Sequence, residues 1–303
     1  MSTIPEVSGP PVPPAPLSTI AMRRLDEETA ANQRRYQLVA SVVVAALAIA
    51  GALIALAFGA WPIGLGAGIV VGVLLVAFAP GVGERLVLRI LGAKPADPKR
   101  FPRYQNLVQG LCEQLGGLPL PKLWVVDSGT ANAMALGRNP TEATVVVTTG
   151  LLSLLNRVEL EGVLAAELSH IRASSARLGS AAVVLGSAGG LLLEARRRGG
   201  NPLLGAAGWA LLALVPLRRL AVPVQRHMRA DEGAAYLTRY PPGLIGALRK
   251  LVRQPDGAIL SNLGLNHLWI VDPLPGPRSD DAPDRFFDSH PPLEERLENL
   301  REL

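Results

Sequence analysis

The residues best placed to do chemistry in this chain lie together in Glu161–Ile171, which reads EGVLAAELSHI. A helix carrying H-E-x-x-H puts two imidazoles on one face to grip a zinc ion, with the intervening carboxylate as general base for the metal-bound water. Here the run is Ala166, Glu167, Leu168, Ser169, His170. The base and the second His stand where that pattern needs them, and the first His is an alanine. Ser169 adds no nucleophile, because residues one or two apart on a helix do not face each other. Cys112 has no neighbour in sequence that would activate it and reads as a core thiol. As the single cysteine it permits no internal disulfide, in keeping with a reducing compartment.

The elements that must hold this helix begin in a membrane. Apolar types make up 49% of the 303 residues and mean hydropathy is +0.28. Between Tyr36 and Gly83 there is no charged residue at all. Gly59, Trp61, Pro62 and Gly64 divide that run, which predicts membrane helices over 37–58 and 63–82, each close to the roughly 20 residues a bilayer core requires. The run starts too late and is too long for a cleavable signal peptide. Arg23, Arg24, Arg34 and Arg35 precede the first helix, and Arg85, Arg89, Lys94, Lys99 and Arg100 follow the second. The turn between them is uncharged, so both ends and all that follows are expected in the cytoplasm; the richness in Ala, Gly and Arg points to a bacterial cell, whose inner membrane the hairpin would then cross. The sequence pI of about 9.8 has its source in this flanking arginine. No basic patch interleaved with aromatics is present, and nucleic acid is excluded as a partner.

Three domain-level regions follow: a Pro-rich arm and basic flank over 1–36, the two membrane helices over 37–83, and a folded region over 84–303. Within the last, Tyr104–Leu115 has helical spacing and Gly116–Pro121 breaks it. Lys122–Val126 and Thr144–Thr149 are β-branched runs that read as strands, with NAMALG (Asn132–Gly137) between them, and a long helix spans Glu159–Arg172. Apolar runs at Leu178–Leu193 and Pro202–Leu217 interrupt the region at about 178–217. They are short for full spans and read as a membrane-inserted or interfacial hairpin. Residues 224–303 are mostly helical, ending in the amphipathic helix Pro292–Leu303.

Seven blocks in order carry a family resemblance: GLPLPKLWVVD (117–127), NAMALG (132–137), VVVTTGLL (145–152), ELEGVLAAELSHI (159–171), RHMRADEGAAYLT (226–238), HLWIVDPL (267–274) and SHPPLEERL (289–297). With two helices before them, the chain resembles the HtpX-type membrane zinc metalloproteases, relatives of the CAAX prenyl-proteases. The resemblance implies an α+β, mainly helical fold: a zincin-like metalloprotease domain with a small sheet, N-terminal transmembrane helices and a second apolar helical pair. It implies zinc as cofactor, and as partners the lipid bilayer and protein or peptide clients, in protein quality control. Glu167 then matches the general base and His170 the second metal ligand. His227 stands where the family has a Glu as third ligand. Asp231 matches the acid that orients a metal-binding His, or serves as a substitute ligand. Asn132 is expected at the border of a substrate groove, where an extended peptide adds to a sheet edge. His290 falls in a family block without a role derivable from residues alone, and His267 reads as structural.

Two ligand positions thus depart from the pattern, Ala166 with no donor and His227 with a different one. Two classes of function compete: a membrane-anchored zinc endopeptidase with a site remodelled around His170, His227 and Asp231, and a pseudoprotease that binds clients without cutting them. The missing donor at Ala166 favours the second. On the resemblance, Ala166→His alone is expected to restore a two-His face, with His227 completing the set.

Overall fold

In a computed structural model of the chain, residues 19–184, 197, 223–254, 265–273 and 290–303 are described. The hairpin consists of α1 (Thr19–Leu56) and α2 (Trp61–Ile90), joined through Gly59 in the left-handed region. Small residues let the two backbones meet: a Cβ on Gly64 would collide with the Gly51 carbonyl, and one on Gly68 with the Leu47 carbonyl. Leu53, Leu56, Phe58, Trp61, Ile63 and Val70 are exposed. By length and composition both helices can cross a membrane.

Both helices outrun the charge-free stretch, because their charged ends rest on the remaining chain. Leu25 of α1 joins the main core, Thr29 Oγ1 donates to the Arg172 carbonyl (3.1 Å) and Asn32 Nδ2 to the Ala173 carbonyl (2.9 Å). Gly83 of α2 touches the Ser180 carbonyl, which admits no side chain there.

Next come β1 (Lys94–Pro95), α3 (Pro102–Gln114), β2 (Lys122–Val126), β3 (Ala133–Gly137) and β4 (Ala143–Thr148). The sheet runs β1-β2-β4-β3, with β2 parallel to β4 and the other pairs antiparallel. The NAMALG segment therefore forms a strand, which its composition did not announce. Residues alternate faces in a strand, and both faces here are covered. Val145, Val147, Ala133 and Ala135 pack into the core around α3 and the helices that follow, while Val146, Met134 and Leu136 pack with Val87 and Leu88 of α2 and with Trp269. A strand buried on both sides loses its polar alternation. Through this second layer the sheet sits directly against the end of α2.

After α4 (Thr149–Leu154), helix α5 (Arg157–Arg172) opens with a capping box: the Asn156 side chain accepts from the Glu159 N–H, and Glu159 from the Asn156 N–H. From Leu160 to Ile171 only Glu161 is not buried, so α5 is the central helix of the domain. Around it lie α6 (Arg226–Thr238), α7 (Pro241–Val252) and α8 (Leu293–Arg301). Gly233 fits α6 tightly against Ser169 of α5, and Gly162 fits α5 against Leu244 of α7. Most of the apolar pair expected over 178–217 lies outside the described residues; 178–184 is helical.

Candidate functional site

The facing surfaces of α5 and α6 bring Glu167, His170, His227 and Asp231 together in the interior, each at most 5% exposed. The His170 and His227 rings meet edge to face with centroids 5.3 Å apart, and His290 stacks on His227 at 4.5 Å. His170 Nδ1 lies 2.8 Å from Ser175 Oγ, which in turn donates to the His170 carbonyl. His290 Nε2 is 2.7 Å from the Trp269 carbonyl and donates to it. His267 is also buried, 3.2 Å from the Gly179 carbonyl through Nε2, a position that ties two segments together.

Two arginines that the sequence reading passed over enter this interior. Arg296 of α8 grips Asp231 with both prongs, Nε to Oδ2 at 2.7 Å and Nη2 to Oδ1 at 2.8 Å, and gives Nη1 to the Ile270 carbonyl at 2.7 Å. Arg226, the first residue of α6, lies inside with its Nη2 donating to the His267 carbonyl and 3.4 Å from His227 Nε2. A signal for Arg296 existed: it occupies the apolar stripe Leu293, Leu297, Leu300, where a charge must be paired. Arg226 gave no such signal beyond its place beside His227.

Electrostatics follow from burial. Burial pushes the Glu167 carboxyl up to about 8; Arg226 and Arg296 oppose it, and Asp231 adds to it. The acid therefore holds its proton at neutral pH. Burial also drives His170 and His227 well below the ordinary histidine value, with Arg226 the largest charge acting in the same direction, so both rings are neutral. Arg226 is itself lowered by burial to about 10, and Glu167 acts to raise it; it remains a cation. Burial raises Asp231 above the usual carboxylate value against the charge and hydrogen bonds of Arg296. Glu167 Oε2, His227 Nδ1 and Arg226 Nε are buried without a hydrogen-bond partner.

Asn132 is buried and engaged by the chain's own backbone. Its Nδ2 donates to the Val271 carbonyl at 2.8 Å, and its Oδ1 accepts from the Ala133 N–H at 3.0 Å. The outer edge of β3 beside it is met by residues 269–270, through the Met134–Trp269 bridge and the Ile270 N–H to the Ala133 carbonyl.

The sequence profile of peptidase family M48 matches residues 98–303. The chain belongs to peptidase family M48. Among relatives, a protein described as "Protease HtpX homolog" from Dictyoglomus turgidum is 36% identical over 252 residues, covering 77% of this chain and 81% of its own length. One so described from Acidiphilium cryptum is 37% identical over 266 residues (82% and 91%), and one from Limosilactobacillus fermentum is 32% identical over 306 residues (92% and 100%). No solved structure matches the chain.

Membership in M48 implies zinc, and the donor set can be tested for it. Catalytic zinc takes three protein ligands and one open position. His170 and His227 offer neutral imidazoles, the form that ligates. Among the described residues the third donor is missing: Ala166 has none, Asp231 is held on both oxygens by Arg296, and His290 stacks on His227 with its Nε2 given to the Trp269 carbonyl. Among the described residues no three His, Cys, Asp or Glu side chains converge on a common point. At His227 Nε2, moreover, a metal ion would meet the Arg226 guanidinium. The described residues as they stand do not fit a catalytic zinc. This also changes the expectation for Ala166→His, since a third imidazole leaves the guanidinium in place.

Proposed function

We propose that this M48 protein is a pseudoprotease held in the membrane by α1 and α2, binding exposed segments of client proteins at the cytoplasmic face without cutting them. The observation that carries the reading is the position of Arg226. Its fixed positive charge acts on Glu167, His170 and His227, the three residues that a zinc ion would organise. A guanidinium supplies the charge, and no open coordination position with it. It cannot bind and activate water as a Lewis acid does, and Glu167 beside it carries a proton. The scaffold around these residues is intact, which supports retained binding: the α5 capping box, the tight α5–α6 contact and the sheet are all formed. Clients would add at the β3 edge near Asn132, in exchange for the chain's own residues 269–271.

The test compares wild type with Glu167→Gln in detergent, using unfolded casein as client. Retention of casein without cleavage in both proteins is expected. Chelator-sensitive cleavage lost in Glu167→Gln would overturn the proposal and install the remodelled endopeptidase, with His170, His227 and Asp231 as ligands.

A further inference from the structure

Where α2 leaves its apolar stretch, a cavity of about 710 Å³ opens between the helix and the sheet. One half of its wall is the apolar face of α2, including Phe78 and Val82, which are 58% and 47% exposed. The other half is cationic. Arg85 and Arg89 come from the next turns of α2, Lys94 from β1, Lys122 from β2 and Arg138 from the connection between β3 and β4. Trp124 of β2 lies between the two halves of the lining.

A basic fringe beside a membrane helix is usually a solvated flank, but three features set this one apart. The five cations come from separate elements and surround one concavity, whereas a flank lies along a single helix. Among the described residues none of the five makes an ion pair or a side-chain hydrogen bond. Two carboxylates, Glu84 and Glu142, share the wall, and Glu84 is already occupied by the Thr144 hydroxyl at 2.7 Å. Five positive charges therefore face two negative ones.

The order of the wall along α2 identifies what fits. At 1.5 Å per residue, Phe78 and Arg89 are separated by about 16 Å along the axis. Apolar surface comes first and positive charge after it, in the sequence that acyl chain and headgroup follow along a bilayer normal. A free phosphate would satisfy only the charged half. An amphipathic ligand with a phosphodiester and no cation of its own satisfies both, and tryptophan belongs at that interfacial level. We propose that this cavity is a specific site for an anionic phospholipid, with the phosphate held by Arg85, Arg89, Lys122 and Arg138 and an acyl chain along Phe78 and Val82. Occupancy joins α2 to β1, β2 and the β3–β4 connection, so the bound lipid fixes the sheet at the membrane surface. The inference rests on the hairpin lying in a bilayer and is independent of whether the site between α5 and α6 cuts peptides.

The test is native mass spectrometry of the full-length chain, stripped of lipid and reloaded with either phosphatidylglycerol or phosphatidylcholine of identical acyl chains. The expected result is one retained phosphatidylglycerol, at least ten-fold preferred, that millimolar inorganic phosphate does not displace. That preference should fall to near parity in Arg85→Gln/Arg89→Gln/Arg138→Gln. Equal retention of the two lipids by wild type overturns the site without recourse to any variant. Displacement by inorganic phosphate makes it a phosphate pocket and overturns the lipid assignment. Extraction of the chain from vesicles by alkaline carbonate would instead defeat the hairpin reading on which the site rests.

Discussion

Two buried charge clusters lie within a few turns of each other on α6, and they are built differently. At Asp231 every carboxylate oxygen has a guanidinium nitrogen, and the third nitrogen of Arg296 has a carbonyl. Around Arg226, by contrast, Glu167, His227 and Arg226 itself each leave a buried polar atom without a partner. Buried polar groups are nearly always satisfied, and exceptions ask for an explanation. The complete cluster is a structural clamp that ties α8 to α6. The incomplete one gathers Glu167 and His227 beside the Arg226 cation, the arrangement on which the proposed pseudoprotease reading rests.

The comparison is broken most forcefully at the clamp. Asp231→Ala leaves Arg296 buried and unpaired, and a loss of roughly 3–5 kcal/mol is expected in denaturant or thermal unfolding. Asp231→Leu with Arg296→Met should lose less, roughly the 1–3 kcal/mol of leaving the Ile270 carbonyl without its donor, since replacing both partners removes the stranded charge. Arg226→Met should cost roughly 1–3 kcal/mol, the value of leaving the His267 carbonyl without its donor; a cost equal to that of Asp231→Ala would mean that the two clusters are structurally alike. The half-exposed Lys250 pairs with the buried Glu159 at 2.7 Å, and because Glu159 keeps the Asn156 N–H, Lys250→Ala is expected to cost only about 1 kcal/mol, read as a small drop in melting temperature.

A finer distinction comes from pH. The folded-state value of Glu167, about 8, is above its ordinary 4.5. The folded protein thus holds a proton that the unfolded chain gives up. This stabilisation is fully present below about pH 4.5 and is lost as pH rises through about 8. Glu167→Gln, which cannot ionise, should lose less stability between pH 6 and pH 9 than wild type. Parallel melting curves for the two proteins across that range would show that Glu167 is already ionised at neutral pH.

How much of this was legible in the sequence depends on what each residue type ordinarily does. Glu167, His170, His227 and Asp231 were found because helical spacing and block order place them. Arg226 and Arg296 were not, because arginine is rarely interior and neither belongs to the metal pattern. The strand β3 escaped notice because Ala-Met-Ala-Leu-Gly has no β-branched residue and, being covered on both faces, no alternation. The charge-free run located the hairpin and its Gly-rich turn. It could not show that α1 begins at Thr19, since that extension is held by Leu25, Thr29 and Asn32 against α5 and not by lipid. The absence of a free edge at Asn132 was invisible for a similar reason: the segment that pairs there lies more than 130 residues away.

Whether the Arg226 guanidinium, 3.4 Å from His227 Nε2, takes the place of a metal, as proposed, is tested most directly by counting zinc. Wild type, Ala166→His and Ala166→His/Arg226→Met are to be purified in mild detergent and their metal content measured. The account predicts well under one zinc per chain in the first two, and about one in the double variant, where three imidazoles are free of a competing cation. Stoichiometric, chelator-resistant zinc in wild type, or equal zinc in the single and double variants, would contradict it.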